Sequence, residues 1–274
     1  MTVGVRRGPF PARLGADLLR RYATATRDPS AAVRTGAVVP PVAIVTQIWE
    51  AQNAGRDAAV PAELQRAAAG GVHGEHDVVL HRPIEPGEPL RIWVEAHGSR
   101  PAGRNSLVTL RYTAVDARDD VVAEQWWTTV YLGVTCAAVG LRAPDHAFPE
   151  EARERPLGTW TTLVDRGMAR RYAEVSGDWS GHHFDAAAAR RSGADRVFLH
   201  GLCTMALCAQ GVVQVVADGD PARVRRVAVR FAAPTYLGER LQVRLYDAGR
   251  LGCAFEAECA GATVITHGRA ELMP

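Results

Sequence analysis

The chain has 274 residues, 47% apolar and 23% charged, with a formal net charge of +2. That is the composition of a globular protein with a sizeable core; it excludes a disordered chain, and so even a balance gives no basis for a nucleic-acid surface. Every basic residue is arginine, so an anion site would use guanidinium groups, backbone N–H groups or helix ends.

The N-terminus, MTVGVRRGPFPARLGADLL, has no apolar run long enough for a signal peptide, and no later stretch approaches a membrane span. A helical start leads into Tyr22-Ala-Thr-Ala-Thr-Arg-Asp28, and an apolar run follows. Alternating, β-rich segments then predict strands over 77–82, 90–97, 106–116 and 121–132. Residues 139–156 carry three prolines among charges of both signs and read as an exposed linker. Past it, Tyr172-Ala-Glu-Val-Ser-Gly-Asp178 precedes an apolar helix predicted over 200–217, and strands are predicted over 224–231, 239–247, 252–259 and 262–272. A helix so apolar all round is expected to be buried, with the strands as the layer that covers it.

The two halves repeat one another. Tyr22, Ala23 and Asp28 match Tyr172, Ala173 and Asp178, 150 positions later. Pro83, Gly87, Glu88 and Leu90 match Pro234, Gly238, Glu239 and Leu241 at an offset of 151. Two matches in the same order at nearly one offset indicate duplication. The expected organisation is an N-terminal repeat over 1–138, a linker over 139–156 and a C-terminal repeat over 157–274.

The chemistry-bearing segment is Ser176-Gly-Asp178-Trp-Ser-Gly-His182-His183-Phe-Asp185. Its glycines permit an irregular path that can aim Asp178 and His183 at one point. A carboxylate and an imidazole so placed can hold a water and exchange protons with it. A turn-forming role for Asp178 is the plainer alternative. A metal site of His182, His183 and Asp185 is a third, disfavoured because adjacent histidines rarely face one ion. Downstream, His200-Gly201 opens the apolar helix. A helix start offers unpaired N–H groups, and Gly201 leaves room for a carbonyl oxygen to approach.

These residues resemble the MaoC-like family of (R)-specific enoyl-CoA hydratases and dehydratases. The resemblance rests on Tyr172, Ala173, Ser176, Gly177, Asp178, His183 and Asp185, then on His200, Gly201 and Leu202, and on Val229-Arg-Phe-Ala-Ala-Pro234 with Gly238. It covers about residues 157–272. It implies an α+β double hot-dog fold, two repeats each with a long central helix wrapped by an antiparallel sheet. It also implies reversible hydration of a trans-2-enoyl thioester to the (R)-3-hydroxyacyl form. Asp178 and His183 would be catalytic, and the Gly201 N–H would bind the thioester carbonyl. The first repeat resembles the partner repeat of double hot-dog members but has Val33 where His183 would fall, so it would shape the acyl tunnel without catalysing. Where the family carries Asn-Pro and an apolar residue, this chain has Ser180, Gly181 and His182. Ser180 and His182 are therefore read as supporting loop residues. The departure motivates two alternatives, a polyketide-type dehydratase or cyclase and a non-catalytic acyl-binding module; a hot-dog thioesterase is a further one.

No metal, redox group or other cofactor is expected. The expected partner is an acyl thioester of coenzyme A or of an acyl carrier protein, with neither nucleic acid nor membrane. Arg190, Arg191, Arg223, Arg225 and Arg226 are candidates for its phosphates. Five cysteines without a CxxC pair suit reduced thiols and a cytoplasmic protein. A homodimer is expected as cover for the outer sheet edges.

Overall fold

A computed structural model describes residues 3–273. The first half runs β1 (Arg7–Arg13), α1 (Ala16–Thr26), α2 (Ala31–Thr35), α3 (Trp49–Ala59), α4 (Ala62–Ala67), β2 (Gly71–Leu80), β3 (Pro89–Ala102), β4 (Asn105–Val115) and β5 (Val121–Tyr131). A two-residue strand, β6 (Val139–Gly140), follows. The second half runs β7 (Pro156–Leu163), α5 (Met168–Ser176), α6 (Ala186–Arg191), α7 (Gly201–Val215), β8 (Val224–Phe231), β9 (Arg240–Asp247), β10 (Cys253–Cys259) and β11 (Ala262–Leu272).

The strands form one antiparallel sheet in the order β1-β3-β4-β5-β2-β8-β11-β10-β9-β7, with β6 beside β3. The halves join where β2 pairs with β8, through Glu75↔Arg230, His76↔Val229 and Asp77↔Ala228. Alternation along the strands sends Ile92, Val94, Val243 and Phe255 into one core against the helices. α7 packs on β7, β8 and β9, and α3 packs on β3, β1 and β4. This is the layered α+β architecture expected.

The two central helices differ. α7 has fifteen residues and is buried on nearly every side, as its apolar surface requires. α3 has only eleven, follows a 3-10 turn over Ala43–Gln47, and stops just before Pro61. Its small residues Ala51, Gly55 and Ala59 let it lie close to the sheet; a Cβ on Gly55 would stand 2.6 Å from Val94.

The repeat is visible atom by atom. α1 ends at Arg27 (φ 53) and α5 at Gly177 (φ 78), both left-handed. Asp28 Oδ1 accepts the Ser30 N–H at 2.9 Å, and Asp178 Oδ1 accepts the Ser180 N–H at 3.0 Å. The N–H groups of Gly87 and Gly238, both at positive φ, donate to Leu14 O and Val164 O. The Tyr22 and Tyr172 rings lie 6.4 Å apart where α1 meets α5.

Residues 139–156 are mostly exposed but form a fastened strap rather than a free linker. Arg142 O accepts from His97 on β3, and Asp145 O accepts from Arg226 on β8. The buried His146 donates through Nδ1 to His267 O on β11 and sits 3.9 Å from Glu75 on β2. Beneath the strap, Arg226 is buried in ion pairs with Asp77 of β2 and Glu271 of β11, which tie the halves together. No helix among the described residues is long and apolar enough to cross a membrane.

Candidate active site

The segment after α5 cannot continue as helix, because Gly177 turns the chain left-handed. Asp178 then points its carboxylate back on its own loop. Oδ1 accepts the Ser180 N–H at 3.0 Å and the Ser180 hydroxyl at 2.5 Å. Ser180 thus fastens this carboxylate through both its backbone and its side chain. With Oδ1 held, Oδ2 faces His183 Nε2 at 3.9 Å.

His183 sits in a 3-10 turn over Gly181–His183 and is 5% exposed. Its Nδ1 lies 2.9 Å from Phe198 O. A carbonyl only accepts, so Nδ1 carries the proton and Nε2 keeps a lone pair toward Asp178. Burial, aided by His200 and His182, pushes the His183 imidazolium down to about 2, so the ring is neutral at rest. A water within reach of both Nε2 and Oδ2 would lie between a free base and a carboxylate.

His200, which the sequence marks only as a helix start, is part of the site. Its ring lies against that of His183, centroids 3.7 Å apart and planes 28° apart. Its Nε2–H donates to Asp178 O at 2.9 Å, while Nδ1 is buried with no partner among the described residues. The neighbouring Tyr172 hydroxyl is likewise buried and unpartnered. Burial lowers the His200 pKa, so this imidazole too is neutral.

Gly201 is the first residue of α7. Its N–H precedes the helical hydrogen-bond ladder and lines the same cavity as Asp178 and His183. A Cβ here would stand 3.1 Å from the Phe231 ring, which explains the need for glycine in steric terms. His182 stacks on Phe198 and lines the cavity wall beside His183.

Other candidates have different places. Asp185 caps α6, accepting the Ala188 N–H at 2.7 Å, and takes no part in a metal cluster with His182 and His183. Asp178, His183 and His200 do bring ligand atoms within 4.8 Å of one another. Stacked rings, however, hold their in-plane lone pairs side by side rather than converging on one ion, a poor fit to a tetrahedral metal site. Of the arginines considered for phosphate, Arg226 is buried with Asp77 and Glu271, Arg225 pairs with Glu271, and Arg223 with Asp218. Only Arg190 and Arg191, on α6, are without a carboxylate partner among the described residues.

The cavity beside the trio measures about 630 Å³. On the side of the second half it is lined by residues that include Ser180, His182, Ser192 and Thr235. On the side of the first half it is lined by residues that include Trp49, Gln52, His73, Trp127 and Tyr131. None of these five is visible as a site residue in the sequence, because they come from separate elements without a local motif. Beside Asp28, by contrast, Tyr22, Pro40, Ala206 and Gln210 leave only about 10 Å³. That is room for a single water at most.

Residues 148–266 match the family model described as the MaoC like domain. The chain is 26% identical over 209 residues to the mouse peroxisomal multifunctional enzyme type 2, covering 74% of this chain and 28% of that one. It is 26% identical over 196 residues to 3-hydroxyacyl-thioester dehydratase Y of Mycobacterium tuberculosis, covering 70% of this chain and 67% of that one. The matched stretch is therefore under a third of the mouse enzyme. In structure the chain is similar to a MaoC-like dehydratase from Phytophthora capsici, with a TM-score of 0.87 at 22% identity over 98% of this chain and 95% of that one. It is also similar to a Mycobacterium tuberculosis protein described as having a double hotdog fold, with a TM-score of 0.62 at 19% identity over 99% and 94% of the two chains.

Proposed function

From a chain whose second half is a MaoC-like domain on a double hot-dog fold, we propose an acyl-thioester hydro-lyase that interconverts a trans-2-enoyl thioester and an (R)-3-hydroxyacyl thioester. The observation that carries this reading is the facing pair, Asp178 Oδ2 and His183 Nε2, 3.9 Å apart at the N-terminus of α7. Two named relatives, an enoyl-CoA hydratase 2 of Arabidopsis thaliana and the mycobacterial dehydratase, act on thioesters of this kind by name.

In the dehydration direction His183 Nε2 takes the α-proton while the thioester carbonyl becomes enolate-like against the Gly201 N–H. Asp178 steadies the imidazolium formed and orients the 3-hydroxyl. The imidazolium proton passes to that hydroxyl, the C–O bond breaks, water leaves, and His183 is neutral again. Hydration is the reverse. The bond from Nδ1–H to Phe198 O favours His183 as the base. Ser180 holds Asp178, and His182 flanks the entry.

Residues 1–138 wall the acyl tunnel and 157–274 carry the chemistry, with 139–156 between them. Val33 in the place of His183 and the nearly filled space at Asp28 support a non-catalytic first half. Coenzyme A or a carrier protein would present the substrate. A cytoplasmic setting, where five unpaired thiols stay reduced, and a homodimer covering the β1 or β7 edge complete the reading. A panel of enoyl and 3-hydroxyacyl thioesters on both carriers, read by mass spectrometry, tests it. Gain or loss of one water is expected; release of free thiol instead would make the protein a thioesterase.

A further inference from the structure

The tunnel has two walls that leave the catalytic trio side by side. On α3 the residues Trp49, Gln52 and Arg56 share the cavity face, while Gly55 of the same helix is pressed on the sheet. On β5 the cavity residues are Trp127, Thr129 and Tyr131. Trp49 marks the near end: a Cβ on Gly177 would meet its ring at 3.6 Å, and its ring lies 6.5 Å from that of Trp127. From Trp49 to Arg56 the helix rises about 10 Å. From Trp127 to Tyr131 the strand advances about 13 Å. Arg56 and Tyr131 therefore lie together at the far end. Burial raises the Tyr131 phenol and the nearby Arg56 charge draws it back, in keeping with that placement.

The far end is built of hydrogen-bond donors. Gln52 is 6% exposed, and its Oε1 is taken by the Tyr112 hydroxyl, which turns its Nε2 amide to the cavity with no partner among the described residues. Arg56 contacts Asp57 through Nε at 3.2 Å, and its terminal nitrogens have no partner among the described residues. Gln52 is buried and the Arg56 side chain is about half-buried, so an all-methylene chain ending there would leave the Gln52 amide unpaired and lay apolar surface against a charged guanidinium.

Resting on the hydro-lyase reading above, we infer that the acyl group this tunnel takes carries an oxygen acceptor at its distal end, a carboxylate being the group that Arg56 and the Gln52 amide together recognise. With C–C bonds of about 1.5 Å, an extended acyl chain of about eight to ten carbons spans the distance. Arg56 is a specificity-determining residue, remote from the reacting atoms.

The test measures binding of decanoyl-CoA and of its ω-carboxy counterpart to Asp178→Asn protein by calorimetry, with and without Arg56→Met. The ω-carboxy form is expected to bind about tenfold more tightly, and Arg56→Met is expected to abolish that preference by weakening the ω-carboxy form, with decanoyl-CoA bound at least as tightly as before. Equal binding of the two thioesters, binding of neither, or a preference that survives Arg56→Met would overturn the inference. Turnover of the matching trans-2-enoyl thioesters by wild-type protein separates the two levels. An ω-carboxy preference in binding with no hydration of either substrate sinks the hydro-lyase reading and leaves the Arg56 assignment standing.

Discussion

The His200 ring lies flat against His183, centroids 3.7 Å apart, while its Nε2–H holds the backbone carbonyl of Asp178. One side chain at the start of α7 thus sets the position of both members of the pair. A displacement of about 1 Å in such a site costs on the order of a hundredfold in rate. His200→Ala should therefore lower kcat by about ten- to a hundredfold with a smaller effect on KM, measured by steady-state hydration kinetics. An unchanged kcat would remove His200 from the account.

Gly201 separates steric from electronic roles. Proline is tolerated at the first position of a helix, and His200 already has the extended backbone (φ −56, ψ 135) that a following proline requires. Gly201→Ala places a Cβ near Phe231 but keeps the N–H; Gly201→Pro removes the N–H as well. The proline variant should lose on the order of a hundredfold more kcat than the alanine variant, as for one oxyanion donor. Equal losses would mean that packing alone explains the glycine.

That Asp178 and His183 lie close together was legible in the sequence, as were the matching Tyr-to-Asp turns of the two halves and most strands, because period-two alternation and local spacing survive without tertiary context. β8 and β11 match their expected limits, whereas β1 and β7 went unread: each begins a repeat near a chain turn and exposes most of its residues. His200's role was hidden because stacking joins residues seventeen positions apart in no periodic relation. The tunnel was hidden for the same reason, since Trp49, His73 and Trp127 meet only when α3, β2 and β5 pack. The linker's fastening rests on single side chains, His146 and Arg226, whose partners lie in both halves. The short first helix followed from Pro61 and the 3-10 turn, signals outweighed by the expectation of symmetry.

Buried neutral histidines give the fold an acid limit. Burial lowers His76 to about 4 and His183 to about 2, and lowers His73 and His200 as well. Each takes a proton when unfolded below about pH 6.5 but not when folded, so stability is full above that pH and falls below it. Each such group costs about 1.4 kcal/mol per pH unit. Thermal unfolding should show Tm declining steadily from pH 6.5 toward pH 4, while kcat/KM shows no acid limb at the usual histidine range. A titration near 6.5 in kcat/KM would contradict a neutral His183.

The junction of the halves depends on a buried ion pair. Arg226 donates to both oxygens of Asp77 across the β2–β8 pairing. Asp77→Ala leaves a buried guanidinium with Glu271 as its one remaining carboxylate and should destabilise the protein by about 3–5 kcal/mol. Urea unfolding measures it; a loss below 1 kcal/mol would show that the pair is dispensable to the joint.

The central claim, that Asp178 and His183 move water on and off an acyl thioester, is tested most directly in one cuvette containing a trans-2-enoyl thioester and a thiol-trapping dye. The wild-type protein should consume the enoyl absorbance with no dye signal. Asp178→Asn and His183→Ala, shown folded by circular dichroism, should each lose at least about a hundredfold in rate. Wild-type hydration rates in either variant, or thiol release by the wild type in place of hydration, would contradict the account.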